Sequence, residues 1–361
     1  TRLLRPAQLC KFMFPKNTWH VACTSDEIFE KPLGRTICNE AMVLYRGQDG
    51  AVVALEDFCP HRGAPLSLGQ VRDGILTCGY HGMRMNADGS CAGMSGQRSQ
   101  SLRSKIKSYP AIDRHGYVWI WLGHALLADG DKIPDLHWAR SPDWAFGGGM
   151  FNIKCDYRLL IDNLMDLTHE TYVHANSIGQ PEIEEAPPNT TVAGDSVVVS
   201  RKMENIIAPP FWQAALKGNG IAHDVPVDRW QICRFTPPGS VMIDVGVAHA
   251  GKGDINSDPQ YRASGIVVDL ITPETETSCW YFWGMARNFE VKDVALTDQI
   301  RKSQHSIFCE DVEVLEGQQR NLLANPGRRL MTLNIDSGGA HARRIIDRLI
   351  SRESEQSLEK P

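Results

Sequence analysis

At 361 residues with a formal charge of −5, the chain is long enough for two domains with separate cores, and no dense Lys/Arg block favours nucleic acid or an anionic membrane. Hydrophobic residues at 42% and charged residues at 22% are ordinary for a compact globular protein and exclude disordered and fibrous classes. No apolar run is long enough to span a bilayer and the start, TRLLRPAQLCKFMF, lacks a signal-peptide core, so a cytoplasmic protein is expected. The ten cysteines are too sparse for a secreted disulfide scaffold; a reducing compartment with some metal-binding thiols fits better.

Residues 1–12 read as an N-terminal extension, since the first plausible strand comes after Met13. From there short β-type runs (WHVAC, AMVLYR, AVVALE, GILTC, YVWIWL) alternate with Gly, Pro, Asn and Asp, the rhythm of a small antiparallel barrel or sandwich. A looser stretch from Gly123 through the Gly147-Gly148-Gly149 run reads as the junction between domains. Beyond it, 157–172 and 296–320 read as helices, with strand-like segments such as SVVVSRKM, RWQICRF and SCWYFWGMA between them. The expectation is an α+β protein: an all-β domain over 13–134, then a second domain over 135–361 with an antiparallel sheet flanked by helices.

Two loops in the first domain each offer one thiolate and one imidazole: Cys59-Pro60-His61 after AVVALE, and Cys78-Gly79-Tyr80-His81 after ILTC. A single zinc ion with two Cys and two His is the rival reading, yet zinc fingers usually group like ligands together. Alternating ligands suit a two-iron cluster, with both cysteines on one iron and both histidines on the other, which is the ligand set of a Rieske [2Fe-2S] centre. Gly63, Gly79 and Gly82 beside the ligands let the backbone approach the sulfides closely.

The segment Asn163-Leu-Met-Asp166-Leu-Thr-His169-Glu-Thr-Tyr-Val-His174 holds a second set. Five residues along an unbroken helix turn the side chain by about 140°, so His169 and His174 share one ion only if the helix ends between them. Asp166 lies three residues before His169, on the same face. The helix over 296–320 supplies a carboxylate: Asp311 falls within the apolar stripe Ile300, Ile307, Val314, Leu315, while Glu310 and Glu313 point elsewhere. A carboxylate aimed at a core needs a cation or strong donors, and iron in a 2-His-1-carboxylate site would serve. A shifted helix phase that leaves Asp311 in solvent is the alternative. Gly246-x4-Gly251-Lys252-Gly253 nearly spells a phosphate-binding loop, but no Ser/Thr follows the lysine and DINSDP does not begin a helix.

With Cys59-x-His61, Cys78-x2-His81, Asp166-x2-His169-x4-His174 and Glu310-Asp311 in order, the chain resembles the Rieske non-haem iron ring-hydroxylating oxygenases, and within them the single-subunit-type aromatic O-demethylases. Strings such as EDFCPHRGAPLSLG at 56–69, CGYHG at 78–82, DYRLLIDNLMDLTHETYVHA at 156–175 and WYFWGMARNF at 280–289 carry the likeness. The resemblance implies a Rieske domain followed by a helix-grip catalytic domain, with a [2Fe-2S] cluster on Cys59, His61, Cys78 and His81 and mononuclear Fe(II) on His169, His174 and Asp311. It also implies a head-to-tail homotrimer in which Asp166, beside Asn163, links His169 to His81 of the neighbouring subunit. O2 would be co-substrate, and electrons would come from a separate NADH-dependent reductase carrying flavin and its own [2Fe-2S] cluster. The implied substrate is a small aromatic acid, a methoxybenzoate such as vanillate, with isovanillate and veratrate as alternatives; His249 and Arg234 are the candidates for its carboxylate. A Rieske-type electron carrier or a structural zinc protein would each leave part of these ligands without purpose.

Overall fold

The computed structural model describes residues 13–94, 104–175, 177–254 and 256–358; the extension expected at 1–12 lies outside them. The chain divides into two compact units. One takes the described residues up to Asp135 together with Thr272–Glu276 and those from Leu349, and the other takes Leu136–Ile271 and Thr277–Arg348. Two short stretches that the sequence reading placed in the second domain thus belong with the first.

The first unit is built from β1 (Trp19–Thr24), β2 (Leu33–Ile37), β3 (Glu40–Arg46), β4 (Val52–Glu56), β5 (Gln70–Arg72), β6 (Ile75–Thr77), β7 (Arg84–Met85), β8 (Cys91–Gly93), β9 (Ser108–Tyr109), β10 (Ala111–Arg114) and β11 (Tyr117–Trp121). They pair as three antiparallel sheets in the orders β1-β11-β10, β2-β3-β4-β9 and β5-β6-β7-β8. Three hairpins turn on two residues that both have positive φ: Cys38-Asn39, Asp73-Gly74 and His115-Gly116. Such turns match the right-handed twist of the strands, which is why Asn, Asp and Gly recur there. A core of Val43, Tyr45, Leu55, Leu66, Leu76, Met85 and Ile106 closes under the two loops that follow β4 and β6.

The second unit holds β12 (Ala145–Ile153), α1 (Tyr157–Leu164), α2 (Glu170–Val173), α3 (Glu182–Glu185), β13 (Asn189–Ala193), β14 (Ser196–Ile206), α4 (Pro210–Gly218), β15 (Val227–Thr236), β16 (Ser240–His249), β17 (Arg262–Thr275), β18 (Ser278–Arg287), α5 (Val294–Ala324) and α6 (Ser337–Leu358). Its antiparallel sheet runs β12-β18-β17-β16-β15-β14-β13. The glycine run expected as a linker is instead the middle of β12, paired with β18 from Gly147↔Met285 to Gly149↔Trp283. Glycine is needed there because α5 packs on this edge: a Cβ at Gly147 would meet Thr297 of α5 at 3.0 Å, and one at Gly149 the Trp283 ring at 2.6 Å.

Register sorts the sheet into two faces. Arg201 lies opposite Gln231, Gln231 opposite Val245, and Val241 opposite Asp269, and opposed residues share a face. Tyr281 joins them through its hydroxyl, which donates to Asp269 at 2.7 Å. This inner face meets α5, where the Phe308 ring packs 5.4 Å from Tyr281 and 5.3 Å from Trp283. The α5 residues that are buried are Ile300, Phe308, Asp311, Leu315 and Gln319. The expected stripe was therefore slightly out of phase: Val314 is exposed and Phe308 takes the place given to Ile307.

The sequence reading omitted α4 and α6. The second buries Ala342, Ile345 and Ile346, a helical spacing visible in ARRIIDRLI. Its Arg343 grips the Asp162 carboxylate of α1 with both Nε and Nη2, and Gly338 and Gly339 leave no room for a Cβ against Met165 and Asp162.

Candidate metal centres

The two loops of the first unit are built alike. In each, the cysteine N–H donates to the carbonyl five residues on (Ala64, Met83) at 2.9 and 2.8 Å, and a glycine N–H four residues on (Gly63, Gly82) returns to the cysteine carbonyl at 2.8 and 3.0 Å. Both glycines have positive φ, +68° and +71°. The loops thus present Cys59 and Cys78 as buried thiols beneath exposed His61 and His81, whose ring centroids lie 4.7 Å apart. Burial pushes the Cys59 thiol above its usual range, while the N–H groups of His61 and Arg62 favour the thiolate. Gly79 is pressed against the Leu68 carbonyl, 2.8 Å from where a Cβ would stand. The four residues fit a [2Fe-2S] cluster: two inner thiols and two outer imidazoles, backbone donors at the sulfur, and glycines where bulk would intrude.

In the second unit, α1 ends at Leu164 because the Asp166 carboxylate draws the chain into a turn, accepting from Thr168 N–H at 2.7 Å and Thr168 Oγ at 2.5 Å. The helix end expected between His169 and His174 is present at Val173, and an earlier break, before His169, comes in addition. The two histidines bracket α2, one at each end, and their rings stand 5.2 Å apart. His169 Nε2 is 3.5 Å from one Asp311 oxygen and His174 Nε2 is 3.3 Å from the other. Ligands about 2 Å from one ion and at right angles are about 3 Å apart, so small adjustments complete a coordination sphere.

Among the described residues, this trio is the one group of three or more such side chains whose ligand atoms all lie within 4.8 Å of one another.

Each ligand is tied from behind. His169 Nδ1 is 2.6 Å from the Asp166 backbone carbonyl, so the contact with Asp166 runs through its main chain and not its carboxylate. Asn163 Nδ2 donates to Asp311 at 2.9 Å. Glu310, which the helix argument turned away from the site, accepts from His174 Nδ1 at 2.6 Å and from Ser177 at 3.1 Å. With both Nδ1 atoms engaged, both Nε2 lone pairs are aimed at the metal position. Burial opposes protonation of His174, but Asp311 and Glu310 outweigh it and hold the imidazole above its usual value.

The proposed carboxylate partners fare differently. Arg234 falls between inner-face residues Cys233 and Phe235 and is exposed on the opposite face, so the alternation of β15 removes it from the cavity side. His249 lies on the inner-face register at the end of β16, but its Nε2 is 2.7 Å from the Ala222 carbonyl. Its Nδ1 can then donate to a carboxylate only when the ring is protonated. Two further acids went unread in the sequence. Glu170 and Asp269 are both buried on the inner-face side, and burial, with the Asp311 charge adding, pushes the Asp269 carboxyl up to about 7 against the lowering effect of Tyr281. For Asp269 the signal was an acid inside the apolar run GIVVDLI of β17, while nothing marks Glu170 except its place beside His169.

The Rieske [2Fe-2S] domain family matches residues 18–110 and the vanillate O-demethylase oxygenase C-terminal domain family matches 153–352. A vanillate O-demethylase oxygenase subunit from Pseudomonas sp. strain HR199 is 62% identical over 95% of this chain and 97% of its own. The chain belongs to the vanillate O-demethylase oxygenase family. It is thus a Rieske non-haem iron oxidoreductase, with a [2Fe-2S] cluster and a mononuclear iron as cofactors. The dicamba O-demethylase oxygenase component of Stenotrophomonas maltophilia is 34% identical over 94% of this chain and 99% of its own. A crystal structure of dicamba monooxygenase bound to 3,6-dichlorosalicylic acid superposes with a TM-score of 0.85 at 34% identity, covering 94% of this chain and 99% of the other. Among the described residues no helix is long and apolar enough to cross a membrane.

Proposed function

We propose that this oxygenase O-demethylates vanillate to protocatechuate and formaldehyde. The observation that carries the reading is the convergence of His169, His174 and Asp311, with both Nδ1 atoms tied back, in a chain so similar to vanillate O-demethylase oxygenase subunits. Cys59, His61, Cys78 and His81 hold the cluster, and His169, His174 and Asp311 hold the iron. When bound, these groups supply electrons and O2 activation, so that the methoxy ether, O2, two electrons and two protons give a phenol, formaldehyde and water.

The chain's own residues prepare that reaction. Asp166 and Glu310 fix the two imidazoles, and Asn163 holds one Asp311 oxygen. The first unit is the electron-receiving domain and the second the catalytic one. The working assembly is a homotrimer in which Asp166 connects to the cluster of the neighbouring subunit, and a separate flavin/[2Fe-2S] reductase feeds NADH electrons in. The test is turnover of purified, iron-loaded protein with such a reductase, NADH and a panel of vanillate, isovanillate and veratrate. Stoichiometric O2 uptake with protocatechuate and formaldehyde from vanillate is expected; a colourless, zinc-containing protein without O2 uptake would sink the reading.

A further inference from the structure

We infer that Glu170, seated by Gln231, reads the free phenolic hydroxyl of the substrate; this rests on the demethylase reading and deepens it. Glu170 is the residue after the iron ligand His169 and is only 5% exposed. Gln231, on the inner face of the sheet, donates its Nε2 to Glu170 Oε1 at 2.6 Å. The other two acceptors of this pair, Glu170 Oε2 and Gln231 Oε1, are buried with no hydrogen-bond partner among the described residues. Buried acceptors are almost always satisfied, so this pair calls for a donor from outside the chain.

The surroundings say which donor. Across from Gln231 lies Val245, and next along the inner face Ile243; both are half-buried, whereas Val241 and Val247 on the same face are closed off. They form an apolar floor for an aromatic ring beside the acceptor pair. Buried Arg201 and Arg229 lie within electrostatic reach of Glu170. They also grip the chain that carries the ligands: Arg201 donates to the carbonyls of Leu167 at 2.6 Å and Ala186 at 2.8 Å, and Arg229 donates to Gln180.

An acceptor-only carboxylate or methoxy group would leave Glu170 Oε2 unpaired or repelled, while a hydroxyl satisfies it. In a 4-hydroxy-3-methoxybenzoate the hydroxyl and methoxy sit on adjacent ring carbons. Holding the hydroxyl at Glu170 places the methoxy carbon one ring position from the residue that directly follows the iron ligand His169, and sends the substrate carboxylate to the far end of the ring.

The experiment measures dissociation constants of the iron-loaded full chain for vanillate, veratrate and 3-methoxybenzoate, then kcat/KM for each with Glu170→Ala and Glu170→Gln. Wild-type protein is expected to bind vanillate at least about tenfold more tightly than the two analogues without a donor. Glu170→Ala should collapse most of that preference, with Glu170→Gln, which keeps one acceptor, restoring part. A preference that survives Glu170→Ala overturns the assignment, and so does an equal loss for all three ligands, which a merely structural role would produce. Should Glu170→Ala not fold, equal wild-type affinities for vanillate and veratrate overturn it alone. Failure to turn over any methoxybenzoate sinks the demethylase reading instead, whereas equal turnover of vanillate and veratrate sinks only this assignment.

Discussion

The cluster loops and the iron site solve the same problem, holding metal ligands still, by opposite means. The loops offer two thiols and two imidazoles from residues 59–81, rely on backbone bonds within each loop, and leave their histidines exposed. The iron site draws on α1, α2 and α5, buries His174 and Asp311, and braces each ligand with a side chain or carbonyl from another turn. One is a local device whose geometry is nearly complete in the sequence; the other exists only once the sheet and α5 have packed. The first should therefore survive damage to the second.

The largest effect expected follows from that independence. Asp311→Ala should abolish demethylation and iron retention, because two imidazoles alone hold Fe(II) poorly. It should leave the visible absorption and EPR signal of the cluster unchanged. Cys78→Ser should do the reverse, losing colour while His169, His174 and Asp311 still take up iron, as read by metal analysis. If Asp311→Ala also bleaches the cluster, the contrast drawn here is wrong.

The same contrast explains what could be read in advance. Cys59, His61, Cys78 and His81 were legible because spacing alone encodes a ligand set whose members fold beside one another. Asp311 was legible as an anomaly, a carboxylate inside an apolar stripe. Glu310 was not: its neighbour fixed the stripe, and only the arrival of His174 from α2 reveals why a second acid follows. The helix end at Val173 was legible, whereas the extra break before His169 was not, because an Asp166 side-chain turn rather than a β-branched residue ends α1. Arg234 reads as a carboxylate partner only while the alternation of β15 is left out, since it is exposed between buried Cys233 and Phe235. The Gly147–Gly149 strand reads as a linker because the reason for its glycines, the close approach of α5 and Trp283, lies elsewhere in the chain.

Burial in the second unit also has a pH consequence. Asp269 is held at about 7 against a usual 3.8, so between those values the folded metal-free protein binds a proton that the unfolded chain has released. Stability from this group is complete below about pH 4 and falls as pH rises towards 7, by about 4 kcal/mol for a gap of about three units. Urea unfolding of the apo-protein at pH 5 and pH 8 should show the fall, and Asp269→Asn should flatten it. An unchanged pH slope in the variant would place the titration elsewhere.

A smaller effect is expected behind His174. Glu310→Ala frees Nδ1 to rotate and should lower iron affinity or turnover by about 10- to 100-fold, while Glu310→Gln, which still accepts a hydrogen bond, should lose less. Competition with a chelator measures the affinity directly. Equal losses in the two variants would mean that charge matters at this position and orientation does not.

The smallest effect separates the two cluster loops from each other. Gly63 and Gly82 occupy equivalent places with φ near +70°, where any other L-residue except Asn or Asp is strained by roughly 1–2 kcal/mol. A Cβ at Gly82 meets nothing within 4 Å, whereas one at Gly63 comes within 2.9 Å of the Phe58 ring. Phe58 is half-exposed and free to swing aside, so the clash should add only a little. Gly82→Ala should lower the urea midpoint slightly with the cluster retained, Gly63→Ala slightly more, and Gly82→Asn least of all. Cluster loss in Gly82→Ala would show that the amide of this loop is held against sulfur more tightly than its backbone conformation alone requires.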